Sequence, residues 1–324
     1  MTDRGSGGPR VVVVVVAYNR SALLQECLNA LLAQTVPADE ILVIDNASTD
    51  DSAARARSTG ADIRVLSLPR NTGGAGGFAV GIAEAIEHYR ADYVWVMDDD
   101  TVPSVTALQE LVHVVASAPQ NTNLVASRVV WVDGRPHPMN TPRVRPFVGR
   151  RAKVRAAQHK CYPVRSASFV SLLIKGEAVR SRGLPIVDYF LWNDDFEFST
   201  RLLRKGRGYL AHESVVVHKT KKFGSTDADP GARFRFEVRN KVWMLLHSGS
   251  LSFGEKMIYL GATLLRWART FARSRDVRVL ARGLVDGLRE GFGTQPASNS
   301  AALAAYGVST EAVEQLESKA KSGL

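Results

Sequence analysis

The amino-acid sequence predicts an α/β fold, in which a mostly parallel, twisted sheet is flanked by helices and followed by a helical C-terminal extension. The first indication is the uninterrupted β-branched run from Val11 to Val16, which is typical of a strand buried on both faces. The second is the alternation of apolar runs with helix-period stretches through the first half of the chain. The third is the change to a helical pattern from Phe234 onward.

The individual elements follow this alternation. We expect strands at 11–16, 40–44, 63–68 and 93–97, and helices at 21–34, at 78–89 and from Pro103, a favoured residue of a helical first turn. Further strands are expected at 124–132, 169–174 and 209–217, with a helix starting near Asp194. The stretch 136–163 is rich in proline and arginine and shows little periodicity. We therefore divide the chain into a domain of residues 1–232, with halves 1–122 and 123–232, and a helical region 233–324.

Composition is that of a folded globular protein with an excess of basic residues. The 324 residues include 42 Lys and Arg against 32 Asp and Glu, a formal net charge of +10. Such a balance fits nucleic acid, anionic lipid or phosphorylated substrates. The basic stretches 128–175 and 266–289 contain no recognisable nucleic-acid-binding module, so no nucleic-acid partner is expected. A non-enzymatic basic protein that binds membranes or nucleic acid is therefore a distant alternative.

Cysteine usage and hydropathy indicate the compartment. Cys27 and Cys161 are too few for a disulfide framework or a zinc site, which suits a reducing environment. No apolar run approaches the roughly 20 residues that a membrane-spanning helix needs. We expect a cytoplasmic protein, soluble or peripheral on the inner face of the cell membrane.

An acidic triplet follows the fourth predicted strand. Asp98, Asp99 and Asp100 come directly after the apolar run 93–97, and ligands of open α/β sheets bind at the carboxyl ends of strands. Carboxylates this close repel one another unless a cation neutralises them. Mg²⁺ or Mn²⁺ held by one or two carboxylates and by phosphate oxygens is the natural partner. The alternative is an acidic cluster that only stabilises a helix N-terminus.

A glycine-rich stretch runs from Asn71 to Phe78. Its backbone, including Gly73 and Gly74, can approach a diphosphate or sugar closely at the start of the next helix. The spacing of Gly74, Gly76 and Ala79 also fits a dinucleotide fingerprint. Because this stretch follows the third strand and not the first, we disfavour a dehydrogenase.

Taken in order, these motifs resemble those of family 2 glycosyltransferases. The resemblance rests on 17–20 (Ala-Tyr-Asn-Arg), on 43–50, on Asn71 with its glycines and on the acidic triplet. It implies a GT-A nucleotide-sugar-binding fold, with 1–122 as the nucleotide-binding half and 123–232 as the acceptor-binding half. It also implies a metal-dependent, inverting transfer from a UDP-sugar. The residues expected to contact the donor base are Tyr18, Arg20 and Asp45; Asp98 and Asp99 would contact donor or metal, and Asp100 the metal.

The resemblance continues in the second half of the chain. The segment Trp192 to Phe198 is similar to the paired-acid segment of the family's acceptor site, so that Asp195 would be the general base and Asp194 would orient the acceptor. Trp192 would stack on a sugar face. On chemical grounds, an inverting transfer needs one carboxylate to take the proton of the acceptor hydroxyl. The alternative is a helix cap with two acids in its first turn.

Four more residues extend the resemblance. His218 ends a predicted strand and matches the family's third metal ligand, with Lys219 beside the donor diphosphate. Arg239 and Asn240 match the end of a Tyr-Tyr-x-x-Arg-Asn segment at the donor site. This chain departs from that segment at its first two positions, which hold Arg235 and Phe236.

Within the family, the glycine-rich stretch, the acidic triplet and the Trp192 segment resemble actinobacterial UDP-galactofuranose transferases of cell-wall galactan. The chain length is similar to that of the initiating enzyme, which acts on a polyprenyl-diphosphate-linked rhamnosyl-GlcNAc acceptor. The polymerising enzyme places its tryptophan directly before the two acids, whereas Asn193 intervenes here. A dTDP-rhamnosyltransferase is the close alternative.

The helical C-terminal region carries a possible membrane signal. An apolar surface between Met257 and Phe271 is flanked by Arg266, Arg269 and Arg273 on one helical face, which suits an interfacial helix at anionic lipid. A helix packed on the catalytic domain with a solvated basic stripe is the alternative. Glycines at 283, 287 and 291 would let two helices approach closely, within one chain or between subunits, and the sequence leaves the oligomeric state open.

Overall fold

The structure is a computed structural model that describes residues 8–119, 121–224 and 229–322; the outermost residues of both predicted domains, 1–7 and 323–324, lie outside this part. Its strands are β1 (Val11–Ala17), β2 (Glu40–Asp45), β3 (Ile63–Ser67), β4 (Tyr93–Asp98), β5 (Thr101–Pro103), β6 (Thr122–Val130), β7 (Arg143–Val144), β8 (Cys161–Ser166), β9 (Leu172–Lys175) and β10 (Arg207–His218). Its α-helices are α1 (Ser21–Leu32), α2 (Ser52–Thr59), α3 (Gly73–Glu87), α4 (Ala107–Ser117), α5 (Arg150–Gln158), α6 (Gly176–Arg182), α7 (Asp194–Leu202), α8 (Phe234–His247), α9 (Phe253–Arg273), α10 (Val277–Gly293), α11 (Asn299–Ala305) and α12 (Glu311–Ser322).

The strands of the described residues form one sheet in the order β3-β2-β1-β4-β9-β6-β10-β8-β7, with β5 paired to the end of β10. Strands β3, β2, β1 and β4 run parallel, so their carboxyl ends meet at one edge. There, Ala17 lies beside Asp45 in the register of β1 and β2, and Val16 lies beside Asp98 in that of β1 and β4. The chain therefore has the predicted α/β fold, with parallel central strands that gather the polar motifs.

The valine run of β1 is buried on both sheet faces, as predicted. Val12 and Val14 pack in a core shared with α3, whereas Val13 and Val15 pack in a second core shared with α1 and α4. All four side chains are fully buried. A continuous β-branched run is stable here because helices cover the sheet on both sides.

Two predicted helix starts are wrong. Helix α3 begins at Gly73 and not at Phe78; just before it, Asn71 Oδ1 accepts from the Gly73 N–H, while the N-cap residue Thr72 makes no side-chain cap bond. Pro103 ends β5 and opens no helix, since β5 pairs antiparallel with residues 216–218 of β10 and α4 starts only at Ala107. The stretch 136–163, which showed little periodicity, contains β7 and α5.

The glycine repeat of α10 packs against α8 of the same chain. A Cβ at Gly287 would lie 2.7 Å from the Arg235 carbonyl oxygen and from Val238 Cβ, and one at Gly291 would lie 2.7 Å from Val242 Cβ. The close helix approach that the repeat predicted is thus intramolecular. Across the described ranges, none of the helices is long and apolar enough to cross a membrane.

Candidate active site

A cluster of possible metal ligands forms at the carboxyl edge of the sheet. Asp98 ends β4 and His218 ends β10, and their ligand atoms lie within 4.8 Å of one another and of an Asp100 oxygen. The pairing of His218 with Thr101 draws Asp100 into the cluster, with its Oδ1 3.1 Å from His218 Nε2. Asp100 Oδ1 is buried and, among the described residues, has no hydrogen-bond partner. An oxygen so placed suits a divalent cation.

The imidazole of His218 is oriented by a residue that sequence reasoning missed. Asn140 Oδ1 lies 2.9 Å from His218 Nδ1, which places the ring proton on Nδ1 and leaves the Nε2 lone pair directed at the cluster. Asn140 belongs to the proline- and arginine-rich stretch between β6 and β8, where no periodicity singles it out. A donor–acceptor partner on the far ring nitrogen is a common feature of histidine metal ligands.

The electrostatics of the cluster also favour a cation. Burial, together with the neighbouring Asp100, raises the pKa of Asp98 to about 7. Burial acts in the same direction on Asp100, but the His218 imidazole outweighs it and lowers the pKa of that carboxyl. Burial opposes the charged form of His218, yet Asp100 raises the pKa of the ring. Without a cation, this edge therefore retains protons, which a bound metal would displace.

Two residues expected at the donor turn out to hold the edge together. Asp99 Oδ2 accepts from the Tyr18 N–H at 3.0 Å and Asp99 Oδ1 from Arg20 Nη1 at 3.2 Å, so its carboxylate is satisfied by the protein. Arg20 Nη1 also lies 2.6 Å from Asp100 Oδ2, and its expected contact with the base stays a prediction. The Tyr18 ring remains 43% exposed, and Asp45, buried beside it, accepts from the Ser48 N–H.

The glycines of the first turn of α3 allow the loop before α7 to lie close to this helix. Gly73 has φ +71°, and a Cβ there would lie 2.1 Å from the Phe190 carbonyl oxygen. At Gly74 the nearest atom to such a Cβ is Asp194 Oδ2, at 3.9 Å. Gly73 thus admits the loop before α7, and Gly74 faces Asp194 across a cavity that it lines.

That loop, residues 189–193, adopts an uncommon backbone conformation. Phe190, Trp192 and Asn193 have φ values of +59°, +65° and +65°, and residues other than glycine hold such values only when their surroundings impose them. The fully buried Asn240 imposes this conformation, since its Nδ2 lies 2.9 Å from the carbonyl oxygens of Tyr189, Leu191 and Trp192.

Arg239 supports the same loop, donating to the Asp188 carbonyl oxygen at 2.6 Å. Arg239 and Asn240 were expected at the donor, but their donor groups are committed to this loop. Lys219 is likewise engaged elsewhere, because its amine pairs with Glu26 of α1. The local sequence does not indicate these protein partners, and the expected contacts of the three residues with the donor stay a prediction.

Asp194 and Asp195 open α7 and have different proton affinities. Burial, followed by the charge of Asp195, raises the pKa of Asp194 well above its usual range. Burial also raises the pKa of Asp195, but only to about 6, because the Phe196 N–H donates to the carboxylate and the nearby Lys241 and Arg143 also favour its charged form. At neutral pH the pair therefore carries its charge on Asp195, as a general base requires.

One cavity of about 430 Å³ joins the two acidic sites. Its walls include Asp98 and His218 at one side and Trp192, Asp194 and Asp195 at the other. The structure thus brings the predicted metal and acceptor residues to a single space. Helices α8 and α9 supply a further wall that sequence reasoning did not anticipate, with these lining residues: Phe234, Glu237, Lys241, Arg266, Trp267 and Thr270.

Comparison with known proteins identifies a family model and several related proteins. The family model described as glycosyl transferase family 2 matches residues 12–174. The galactofuranosyltransferase GlfT1 of Mycobacterium tuberculosis is 30% identical over 256 residues, which cover 74% of this chain and 83% of that protein. GlfT1 of Mycolicibacterium smegmatis is 30% identical over 204 residues, covering 60% of this chain and 66% of that one.

Solved glycosyltransferases share the fold. TarS 1–349 of S. aureus in complex with UDP-GlcNAc superposes with a TM-score of 0.58 at 16% identity, covering 97% of this chain and 92% of that one. GalNAc-T7 with UDP, GalNAc and Mn²⁺ gives a TM-score of 0.60 at 15% identity, covering 90% of this chain and 55% of the other. From the family match, the identity to GlfT1 and the fold, we conclude that this chain belongs to glycosyl transferase family 2 and is a GT-A glycosyltransferase.

Proposed function

We propose that the protein transfers galactofuranose from UDP-galactofuranose, with inversion, to a lipid-linked rhamnosyl-GlcNAc acceptor of cell-wall galactan synthesis. The observation that carries this proposal is the single cavity joining the Asp98–Asp100–His218 cluster to the Asp194–Asp195 pair. The identity to galactofuranosyltransferases over most of the chain supports the donor sugar. A Mn²⁺ or Mg²⁺ ion held by the cluster would neutralise charge on the donor diphosphate.

The residues around the cavity then have distinct tasks. Tyr18 and Asp45 hold the uracil base at the ends of β1 and β2, and Trp192 packs on an apolar sugar face. Asp195, ionised at neutral pH, takes the proton of the acceptor hydroxyl as that oxygen attacks the donor sugar. Asp194, which keeps its proton, donates a hydrogen bond that orients the acceptor.

The surface of helix α9 supports the proposal of a lipid-linked acceptor and of a peripheral position on the inner face of the membrane. Its outer surface exposes five large apolar side chains, namely Phe253, Met257, Ile258, Leu264 and Leu265. The other side of α9 lines the cavity with Arg266, Trp267 and Thr270. One helix therefore places an apolar, lipid-compatible surface next to the acceptor site.

A donor panel tests the proposal. Purified protein is assayed with UDP-galactofuranose, UDP-galactopyranose, UDP-GlcNAc and dTDP-rhamnose and a synthetic lipid-linked acceptor, and the product anomer is assigned by NMR. Transfer from UDP-galactofuranose with inversion, lost in EDTA and restored by Mn²⁺, is expected. Preference for dTDP-rhamnose would indicate a rhamnosyltransferase instead. Full turnover of metal-free protein in EDTA would rule out a metal requirement. Stabilisation by RNA, and not by UDP with Mn²⁺, would point to the non-enzymatic alternative.

A further inference from the structure

A buried lysine lines the cavity without an anionic partner. Lys241 of α8 is only 6% exposed, and its Nζ lies 4.9 Å from the centre of the Phe196 ring. Within the described ranges, no carboxylate or hydrogen-bond acceptor is paired with it. A buried ammonium without such a partner is costly and is usually retained for a functional reason.

The nearest acid on the same helix is already occupied. Glu237 Oε2 accepts from Asn193 Nδ2 at 2.7 Å, and Glu237 Oε1 pairs with Arg266 and lies 3.4 Å from Trp267 Nε1. These contacts tie the 189–193 loop and α9 to α8. They leave Lys241 facing the cavity as a cation.

Two arginines surround the same space. The Arg143 guanidinium lies 5.5 Å from the centres of the Phe196 and Tyr259 rings, and Arg266 enters from α9. Burial lowers the pKa of Lys241 to about 8, against the favourable charge of Glu237, and the amine therefore stays largely protonated at pH 7. Lys241 and Arg143 thus lie close to Asp195, and Arg266, which pairs with Glu237, lines the same cavity.

We infer that Lys241, with Arg143 and Arg266, forms a subsite for the phosphate group of the acceptor. This inference rests on the proposed function and assigns the residues that read the charged part of its substrate. The acceptor's reacting sugar lies at Asp195, its phosphate at Lys241, and its lipid at the exposed apolar surface of α9. That order follows the order of groups in a lipid-phosphate-linked glycan.

A pair of acceptors tests the subsite. One carries the disaccharide on a lipid diphosphate, and the other carries the same disaccharide as a neutral alkyl glycoside. Lys241→Met removes the charge and keeps the length of the side chain. We expect a KM for the diphosphate acceptor that is about 10- to 100-fold higher, since charge-assisted hydrogen bonds are the strong ones. The KM for the neutral acceptor and for the donor should stay within about twofold.

The control is Lys205→Gln, which removes one charge from an exposed turn outside the cavity and should change neither KM. An equal rise in KM for both acceptors would overturn the subsite and would mean that Lys241 acts through Asp195. No change for either acceptor would overturn it as well. Thermal unfolding of each variant checks that the fold is retained.

A binding measurement separates this inference from the proposed function. Farnesyl diphosphate is titrated calorimetrically in EDTA, so that neither transfer nor metal is required. The wild-type protein should bind it at least tenfold more tightly than Lys241→Met, and equal affinities would overturn the subsite. If the two proteins bind farnesyl diphosphate equally but the wild type transfers galactofuranose, only the subsite is overturned and the proposed function stands. If the wild type binds farnesyl diphosphate more tightly but transfers no galactofuranose, only the proposed function is overturned.

Discussion

Replacing Asp195 with asparagine tests the chemistry of the cavity most directly. The substitution keeps the shape of the side chain at the start of α7 and removes the lone pair that takes the proton. General-base catalysis contributes roughly 10²- to 10⁴-fold, so kcat at pH 7 should fall by about that factor while the affinity for UDP barely changes. The neighbouring Asp194→Asn should cost less in kcat and more in acceptor KM.

The pH profile of the wild-type enzyme gives an independent magnitude. With the pKa of Asp195 raised to about 6, the base is about 90% ionised at pH 7 and about 10% at pH 5. Activity is thus lost as pH falls through 6, about two pH units above the point for an ordinary aspartate. kcat should drop roughly tenfold between pH 7 and pH 5.

The assay is initial-rate transfer at saturating donor and acceptor between pH 5 and pH 8. The residual kcat of Asp195→Asn should no longer decrease between pH 7 and pH 5. A near-normal kcat for Asp195→Asn with a large loss for Asp194→Asn would reverse the two roles. If neither variant matters, the acid pair only starts a helix and the base lies elsewhere.

Three further predictions follow from the contacts of the cavity walls. Asn140→Ala removes the partner of the His218 ring and should raise the Mn²⁺ concentration for half-maximal activity by about 10- to 100-fold, measured by metal titration of the apo-protein. Gly73→Ala places a Cβ 2.1 Å from the Phe190 oxygen, so it should lower stability by about 1–3 kcal/mol and raise the acceptor KM, measured by denaturant unfolding and kinetics. Arg269→Gln combined with Arg273→Gln should weaken binding to anionic liposomes, by about 1 kcal/mol per charge at low salt, measured by flotation.

Each of these has a control or a contradicting outcome. Gly249→Ala meets no atom within 4 Å and should leave stability unchanged, which separates strain at Gly73 from the effect of any added methyl group. An unchanged metal titration in Asn140→Ala would mean that the His218 ring is oriented without its partner. Liposome binding that persists in the double arginine variant would make the stripe a solvated face of a packed helix.

The sequence predicted where the site residues lie in the fold better than it predicted which groups they contact. Strand ends are visible in hydropathy, so the edge that holds Asp98, Asp100 and His218 was predictable. The antiparallel pairing of β5 with β10, which brings Asp100 to His218, was not predicted. Which group satisfies a given side chain depends on residues far away in the chain. Asn240 matches a family motif at the donor, yet its side chain donates hydrogen bonds to a loop some 50 residues earlier in the chain.

The residues that were missed share a physical cause. Asn140 lies in a stretch without periodicity, and Lys241 lies in a helix whose apolar pattern indicates only packing. Asn140 matters through its hydrogen bond to the buried His218, and Lys241 through its burial beside the cavity, and neither contact can be read from the local sequence. The helix start at Gly73 was missed because the glycines of its first turns have low helix propensity when read alone.

The final helices have a consequence for the order in which the molecule assembles. Asn299 donates to the Pro185 carbonyl and accepts from the Val187 N–H, and the Ala297 N–H donates to Asp188. These bonds join residues 109–114 positions apart, whereas β1 pairs Val12 with Glu40 of β2 and Val11 with Tyr93 of β4, at shorter separations. Contacts of long sequence separation form late, because loop closure must precede them. During synthesis on the ribosome, strands β1 to β4 can thus pair while residues 185–188 still await residues 297–299.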